Sequence, residues 1–294
     1  MTKGIGNVDY VRQGSEVAVQ GQFSSNWDYL YQASTVQNPK FNIGDRIVTP
    51  DGRVFRYALA AATCDPEFGT YQPLKTIPNA VAPAQSVIQG PLLGPTGASV
   101  TIAAGAVGSN AVTITVGASA GAAANGAIAA DELRGGYIVI GNGTSQHPQM
   151  RGIVGNTAVA AGGGTSDLYL DASLTTAVTV GTTNLETMLN PYANVKGDQA
   201  GGAYVSFVGI PAVRATVGQY FWLQTWGPVW ITSDGLTADD ADDRIVYFKT
   251  NGSLSSRMEI TEGSHPVYQP AGFCIDASSA GSSNAPMVML QLSI

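Results

Sequence analysis

The sequence predicts an all-β protein, with β-sandwich or barrel modules preceded by an extended N-terminal arm and a β-hairpin. Three observations carry that expectation. There are 36 glycines among 294 residues and only 12% of the chain is charged, about half the share of an ordinary domain. Short β-branched and aromatic runs recur between Gly, Pro, Asn and Asp turns at roughly 10–15 residue spacing. No amphipathic run at the helical period is long enough to build a helical layer.

Residues 1–40 read as the arm. Glycines interrupt short polar stretches, and Tyr10, Phe23, Trp27, Tyr29 and Tyr31 are scattered along it. Such aromatics must be covered, either by this chain's own core or by a neighbouring subunit. Residues 41–90 hold the hairpin and a Pro/Gly-rich linker. In IGDRIVTPDGRVFRYALA (43–60), two strand-like runs flank Pro50, Asp51 and Gly52. Proline fixes φ and glycine supplies φ > 0, the requirements of a tight turn. On the second strand Val54 shares a face with Arg56, and Arg53 with Phe55 and Tyr57. Neither face is cleanly apolar, as expected of a strand covered on both sides by different subunits.

Residues 91–195 read as a small-residue-rich β module. From Thr76 to Ala130 no residue is charged, a run of 55. It contains two β-branched strands, SVTI (99–102) and AVTITV (111–116), around a Gly-Ser-Asn turn, then a small-residue loop at 121–127. Uncharged strands of this kind must be paired or covered to avoid aggregation. GYIVIGNG (136–143), MRGIV (150–154), DLYL (167–170) and AVTV (177–180) read as strands. Thr183–Leu189 reads as the one short helix, with Asn190 closing the module. Residues 196–294 are a C-terminal β domain, with strands expected near 203–208, 219–225, 229–232, 244–248, 257–260, 272–275 and 288–292. Gly227 and Pro228 are expected to break the aromatic strand that precedes them.

The chemistry is sparse. The net charge of -7 and a total of five lysines leave no basic cluster for nucleic acid. No apolar run approaches the ~20 residues of a membrane span. The first residues, MTKGIG, lack the apolar core of a secretion signal, so synthesis in a host cytoplasm is expected. Cys64 and Cys274 lack metal-ligand spacing and read as buried thiols. His147 and His265 each precede a proline, outside any catalytic motif. No cofactor or catalytic residue is expected. Asp234, Asp239, Asp240, Asp242 and Asp243 could ligate Ca²⁺, although a solvated loop reads better. Three of the four tryptophans fall in GQYFWLQTWGPVWI (218–231). In a regular strand Tyr220, Trp222, Gln224 and Trp226 share one face. Together with Trp230 these aromatics suit a core or an interface better than a carbohydrate-stacking platform.

The FRYA hairpin at 55–58, GYIVIGNG, DLYLDASL, LNPYANV and QTWGP occur in an order that resembles structural proteins of tailed-bacteriophage virions, in particular capsid decoration (cement) proteins. The resemblance covers residues 40–60 and 130–232. It implies a non-catalytic protein on the capsid surface of the virion, partnered by the major capsid protein and by itself as a homotrimer, with neither nucleic acid nor membrane as partner. Contacts are then expected from Tyr10, Phe23, Trp27, Tyr29 and Tyr31 on the arm and from Arg46, Arg53, Phe55, Arg56 and Tyr57 on the hairpin. Arginine's planar fork suits interfaces. The alternative is a fibre or spike that binds host-surface glycans through Tyr220–Trp226 and the acidic loop at 234–243 with its Ca²⁺.

Overall fold

A computed structural model describes residues 9–13, 16–20, 27–73, 100–103, 105–116, 127–142, 149–178, 183–197, 205–232, 244–249, 251–255, 269–276 and 286–293. The chain divides into two units, Met1–Pro73 with Tyr192–Ile294 and the intervening Leu74–Pro191. The described residues are all-β apart from one 3-10 turn at Asp28–Tyr31.

The first unit begins with β1 (Asp9–Gln13) and β2 (Glu16–Gln20), an antiparallel pair. Glu16 of β2 then pairs, in parallel, with Arg46 of β3 (Arg46–Val48). The expected hairpin forms. β3 pairs antiparallel with β4 (Val54–Leu59), Ile47 opposite Phe55. Gly52 sits at φ 84 and its N–H donates to the Thr49 carbonyl at 2.9 Å. Side chains that alternate in a strand then sort themselves. Ile47, Phe55 and Tyr57 enter one apolar cluster with Leu30, Phe41 and Trp222, while Ala58 enters another with Cys64, Phe221 and Leu223. Both faces of β4 are therefore covered by this same chain, not by different subunits. Segments far away in sequence do the covering, which the local pattern does not encode.

After β5 (Thr70–Pro73) the chain leaves this unit, and it returns at Tyr192. The two ends of the excursion are tied together. Tyr71 and Lys196 exchange two backbone hydrogen bonds, each 2.8 Å, and the Gln72 amide donates to the Ala193 carbonyl at 3.2 Å.

The second unit carries one antiparallel sheet built from β6 (Val100–Ile102), β7 (Ala111–Val116), β8 (Tyr137–Asn142), β9 (Gln149–Asn156), β10 (Gly164–Leu170) and β11 (Thr183–Met188). Its spatial order is β11-β8-β9-β10-β7-β6, and it curls until β11 and β6 approach each other. The two strands expected in the uncharged run are β6 and β7, paired Val100 to Val116. The expected helix at 183–189 is instead β11, in register with β8 from Thr183–Asn142 to Met188–Tyr137. Partnering by β8 outweighs a weak helical preference, because Thr and Asn carry little of it. Of the 177–180 segment, Val178 bridges Gly105 and residues 179–180 lie outside the described residues, as does the 121–126 loop. The core is the alternate set Val112, Ile114, Ile138, Ile140, Ile153, Leu168 and Leu170, all at most 5% exposed. Asn156 is buried beside it and fully engaged. Its amide nitrogen donates to the Ala129 and Thr157 carbonyls, and its oxygen accepts from the Leu133 N–H.

Back in the first unit, β12 (Val205–Pro211) leads into β13 (Tyr220–Trp230), followed by β14 (Ile245–Phe248), β15 (Leu254–Ser255), β16 (Gln269–Asp276) and β17 (Met287–Gln291). The strand expected at 257–260 lies outside the described residues. The sheet order is β1-β2-β3-β4-β13-β17-β16-β14-β15, with β12 bridging β13 and β5. β13 is one strand, not two. It runs through Gly227 and Pro228 because its pairing with β4 stops at Trp226, leaving an edge where proline costs no ladder bond. Gly227, at φ 98, also lies where a Cβ would come within 3.1 Å of the Arg53 Cα.

The tied ends at Tyr71 and Lys196 generate a prediction. Replacing residues 74–191 by a short Gly-Ser linker leaves the first unit folded, with near-UV circular dichroism from its buried tryptophan retained. Loss of that signal would show that the first unit needs the second to fold.

Candidate functional site

The hairpin and the segment before it form one aromatic assembly. Phe41 meets Trp222 edge-on with ring centroids 4.9 Å apart, and Tyr57 lies 5.0 Å from Trp222 and stacks on Tyr220 at 5.8 Å. Tyr29 stacks on Phe41 and touches Trp222, with Trp27 beside it. Of the arm aromatics, Trp27 and Tyr29 thus lie against this chain's own core, and Leu30 between them and Tyr31 is fully buried. Tyr31 is exposed; its hydroxyl accepts from Arg53 Nη1 at 3.2 Å. Tyr10 stands opposite Val19 in the β1–β2 pair, and Phe23 lies outside the described residues.

The arginines are engaged inside the unit. Arg53 donates from Nε to Asp51 at 2.7 Å and lies 5.4 Å over the Phe55 ring. Arg56 lies 5.7 Å over the Tyr192 ring and donates to the Gly44 carbonyl at 3.1 Å. Arg46 is half-buried opposite Arg56. Partial burial pushes the Asp51 carboxyl upward, but hydrogen bonds from Thr49 and Arg53 outweigh it and hold Asp51 below its ordinary carboxylate value.

The aromatic strand divides in a way regular alternation does not foresee. Trp222 is 1% exposed, so it has no surface to offer a glycan-stacking platform at Tyr220–Trp226. The register slips between Gln224 and Trp226, where Gln224 faces Phe55 but Trp226 faces Val54. This bulge turns Trp226 to the opposite face from Trp222. Gln224 is buried at the bulge and donates to the carbonyls of Trp226 and Pro228 at 3.2 and 2.8 Å.

Beyond the bulge, the structure assembles a surface that the sequence reading did not single out. Pro228, Met289, Phe273 and Ile245 stand opposite one another across β13, β17, β16 and β14. Trp230 and Met287 form the next row, and Ile275 projects at a bulge of β16. The alternate positions Val246, Phe248, Cys274, Val288 and Leu290 point the other way, into a buried core. Trp230, Ile245, Phe273, Ile275 and Met287 each keep 40–57% of their surface exposed. The signal lay in strands apolar at consecutive positions, IVYF and MVML, where one wet face demands alternation.

No other chemistry gathers among the described residues. Asp234, Asp239, Asp240, Asp242, Asp243, His147 and His265 lie outside the described residues. Among the described residues no group of three His, Cys, Asp or Glu could hold a metal ion, and no helix is long and apolar enough to cross a membrane. Both cysteines are free and buried, as expected. Burial pushes the Cys64 thiol up to about 11 and raises that of Cys274. Comparison with protein-family models, with curated proteins and with solved structures finds no match.

Two predictions follow from the hairpin assembly. Trp222→Ala lowers stability by about 3–5 kcal/mol, read as a fall in the denaturant midpoint. Asp51→Asn has a small cost, at most about 1 kcal/mol for so exposed a carboxylate. A depressed folded-state pKa stabilises above the unfolded value of about 3.9 and ceases to do so as pH falls through the folded one. Wild type and Asp51→Asn therefore differ at pH 7 and converge in acid; a difference independent of pH would contradict the assignment.

Proposed function

We propose that this chain is a non-catalytic structural protein of a tailed-phage virion, made in the host cytoplasm and bound to the outer capsid surface, where it braces neighbouring major-capsid subunits. The observation that carries the reading is large apolar side chains standing exposed in rows on β-sheet faces of a charge-poor chain. In the first unit these are Trp230, Ile245, Phe273, Ile275 and Met287; in the second they are Tyr137, Met150, Val154 and Tyr169. Contiguous exposed apolar area marks a macromolecular contact. Many copies engaging one shell add avidity of ~10²–10⁴ to contacts that are individually modest.

A second reading, a fibre or spike that binds host glycans, has one feature in its favour. Exposed Tyr137 and Tyr169 stand opposite Gly152 and Gly155 on the two sides of β9. The Asp171 and Asp131 carboxylates lie over those glycines, and tyrosine rings flanked by carboxylates suit sugar stacking and hydroxyl recognition.

The test is co-sedimentation of the full chain with empty capsid shells. Binding near the copy number of the major capsid subunit is expected. Phe273→Asp, which puts a charge into the exposed row and leaves the buried core side chains in place, is expected to give a folded protein that no longer binds. Full occupancy by folded Phe273→Asp would overturn the assignment of the contact to this face. Absence of any binding, with glycan binding lost in Tyr137→Ala, would replace the capsid reading by the fibre one.

A further inference from the structure

We infer that the outer face of the second unit's sheet, over Gly152 and Gly155 of β9, binds an uncharged oligosaccharide, one sugar unit on each glycine. The inference rests on the glycan reading of Tyr137 and Tyr169 and adds to it the class of sugar.

Three features carry it. The first is a pair of matching rows. Tyr137 of β8 stands opposite Gly152, and the carboxylate of Asp171, which follows β10, lies over that glycine. Tyr169 of β10 stands opposite Gly155, and the carboxylate of Asp131, in the segment leading into β8, lies over that one. Each row thus holds one exposed ring and one exposed acid across a glycine, in opposite order. The second is fixed placement. Asp171 and Asp131 donate their backbone N–H groups to β9, to the Gly152 and Asn156 carbonyls, each at 3.0 Å. A Cβ would come 2.7 Å from the Asp171 carboxylate at Gly152 and 2.6 Å from that of Asp131 at Gly155. Glycine is what lets each acid lie flat on the strand.

The third is the chemistry of the rows. A sugar offers a C–H face that stacks on an aromatic ring and hydroxyls that donate hydrogen bonds, whereas an ionised carboxylate only accepts them. The same carboxylates repel sialic, uronic and phosphorylated sugars, a discrimination by like charge. No cation stands in either row, and Arg151, beside Gly152, spends its guanidinium on the Ser173 and Met150 carbonyls. The rows lie three residues apart on β9, with a register shift between them. At about 3.3 Å per residue, shortened by the bulge, that is roughly 7–10 Å, so each row takes its own sugar unit. A lone monosaccharide fills only one.

The experiment is binding of the full chain to an array of neutral, sialylated and phosphorylated glycans, followed by calorimetry with the neutral oligosaccharides that bind and with their monosaccharides. Binding to neutral oligosaccharides alone is expected, at least about tenfold tighter than to the monosaccharide because two rows engage together. Tyr137→Ala and Tyr169→Ala, shown to be folded by circular dichroism, should each weaken it on the order of tenfold, the scale of one lost stacking contact. Asp131→Asn combined with Asp171→Asn should admit anionic glycans, a gain that misfolding does not produce. Anionic glycans bound by the wild type and lost in Tyr137→Ala would overturn the inference and leave the glycan reading standing. So would a monosaccharide that binds as tightly as the oligosaccharide. No glycan bound by the folded wild type would overturn both, and shell binding lost in folded Tyr137→Ala would then give this face to the capsid.

Discussion

Everything in the first unit depends on one strand having different neighbours along its length. β13 pairs with β4 over Tyr220–Trp226 and with β17 over Trp226–Trp230, and it meets β12 at Leu223 and Gln224. Its odd and even side chains go to different cores. Tyr220 and Trp222 join the hairpin aromatics, whereas Phe221 and Leu223 join Ala58 and Cys64. Val229 and the following Ile231 reach a third cluster with Phe248 and Leu290. Where it is buried on both faces and paired along both edges, at Leu223 and Gln224, the strand has no freedom of register, because a slip of one residue would exchange every core side chain for its neighbour. The bulge at Thr225 is what lets one strand serve both requirements. It keeps Trp222 inside and turns Trp226 away.

The hairpin was legible in the sequence because its determinants lie within a few residues. A proline, an aspartate and a glycine fix the turn, and alternation fixes the faces. Strands β6 to β10 of the second unit were legible for the same reason. What was hidden depends on partners distant in sequence. Thr183–Met188 looks mildly helical until β8 is beside it. Gly227 and Pro228 look like a break until β4 is seen to stop at Trp226. The aromatics of 218–231 look like one face until an extra residue at the bulge splits them. The exposed sheet face was missed because it is formed by β13, β14, β16 and β17, whose adjacency does not follow sequence order. Its trace was present in apolar residues at consecutive positions.

The aromatic assembly also changes the meaning of the N-terminal segment. Leu30 and Phe41 are as much core as Ile47 and Phe55, so residues 27–41 belong to the body of the first unit and not to an arm. Aromatics on a glycine-rich segment announce that something covers them, but not what. Here Trp27 and Tyr29 lie on the chain's own hairpin, and the most exposed tryptophan of the described residues stands far along the chain at position 230.

The excursion between Tyr71 and Lys196 has a consequence for how the chain comes into being. A ribosome delivers β3 and β4 early, with the edge of β4 that will receive β13 still empty. The whole second unit is then synthesised before β13 appears. That unit is continuous in sequence, with strands that mostly pair with near neighbours, so it can close its sheet while the chain is still growing. The first unit cannot. Its hairpin, with Phe55 and Tyr57 covered only by early residues such as Leu30 and Phe41, must wait for Trp222. During that interval the nascent protein exposes side chains such as Phe55 that later lie deepest, beneath Trp222.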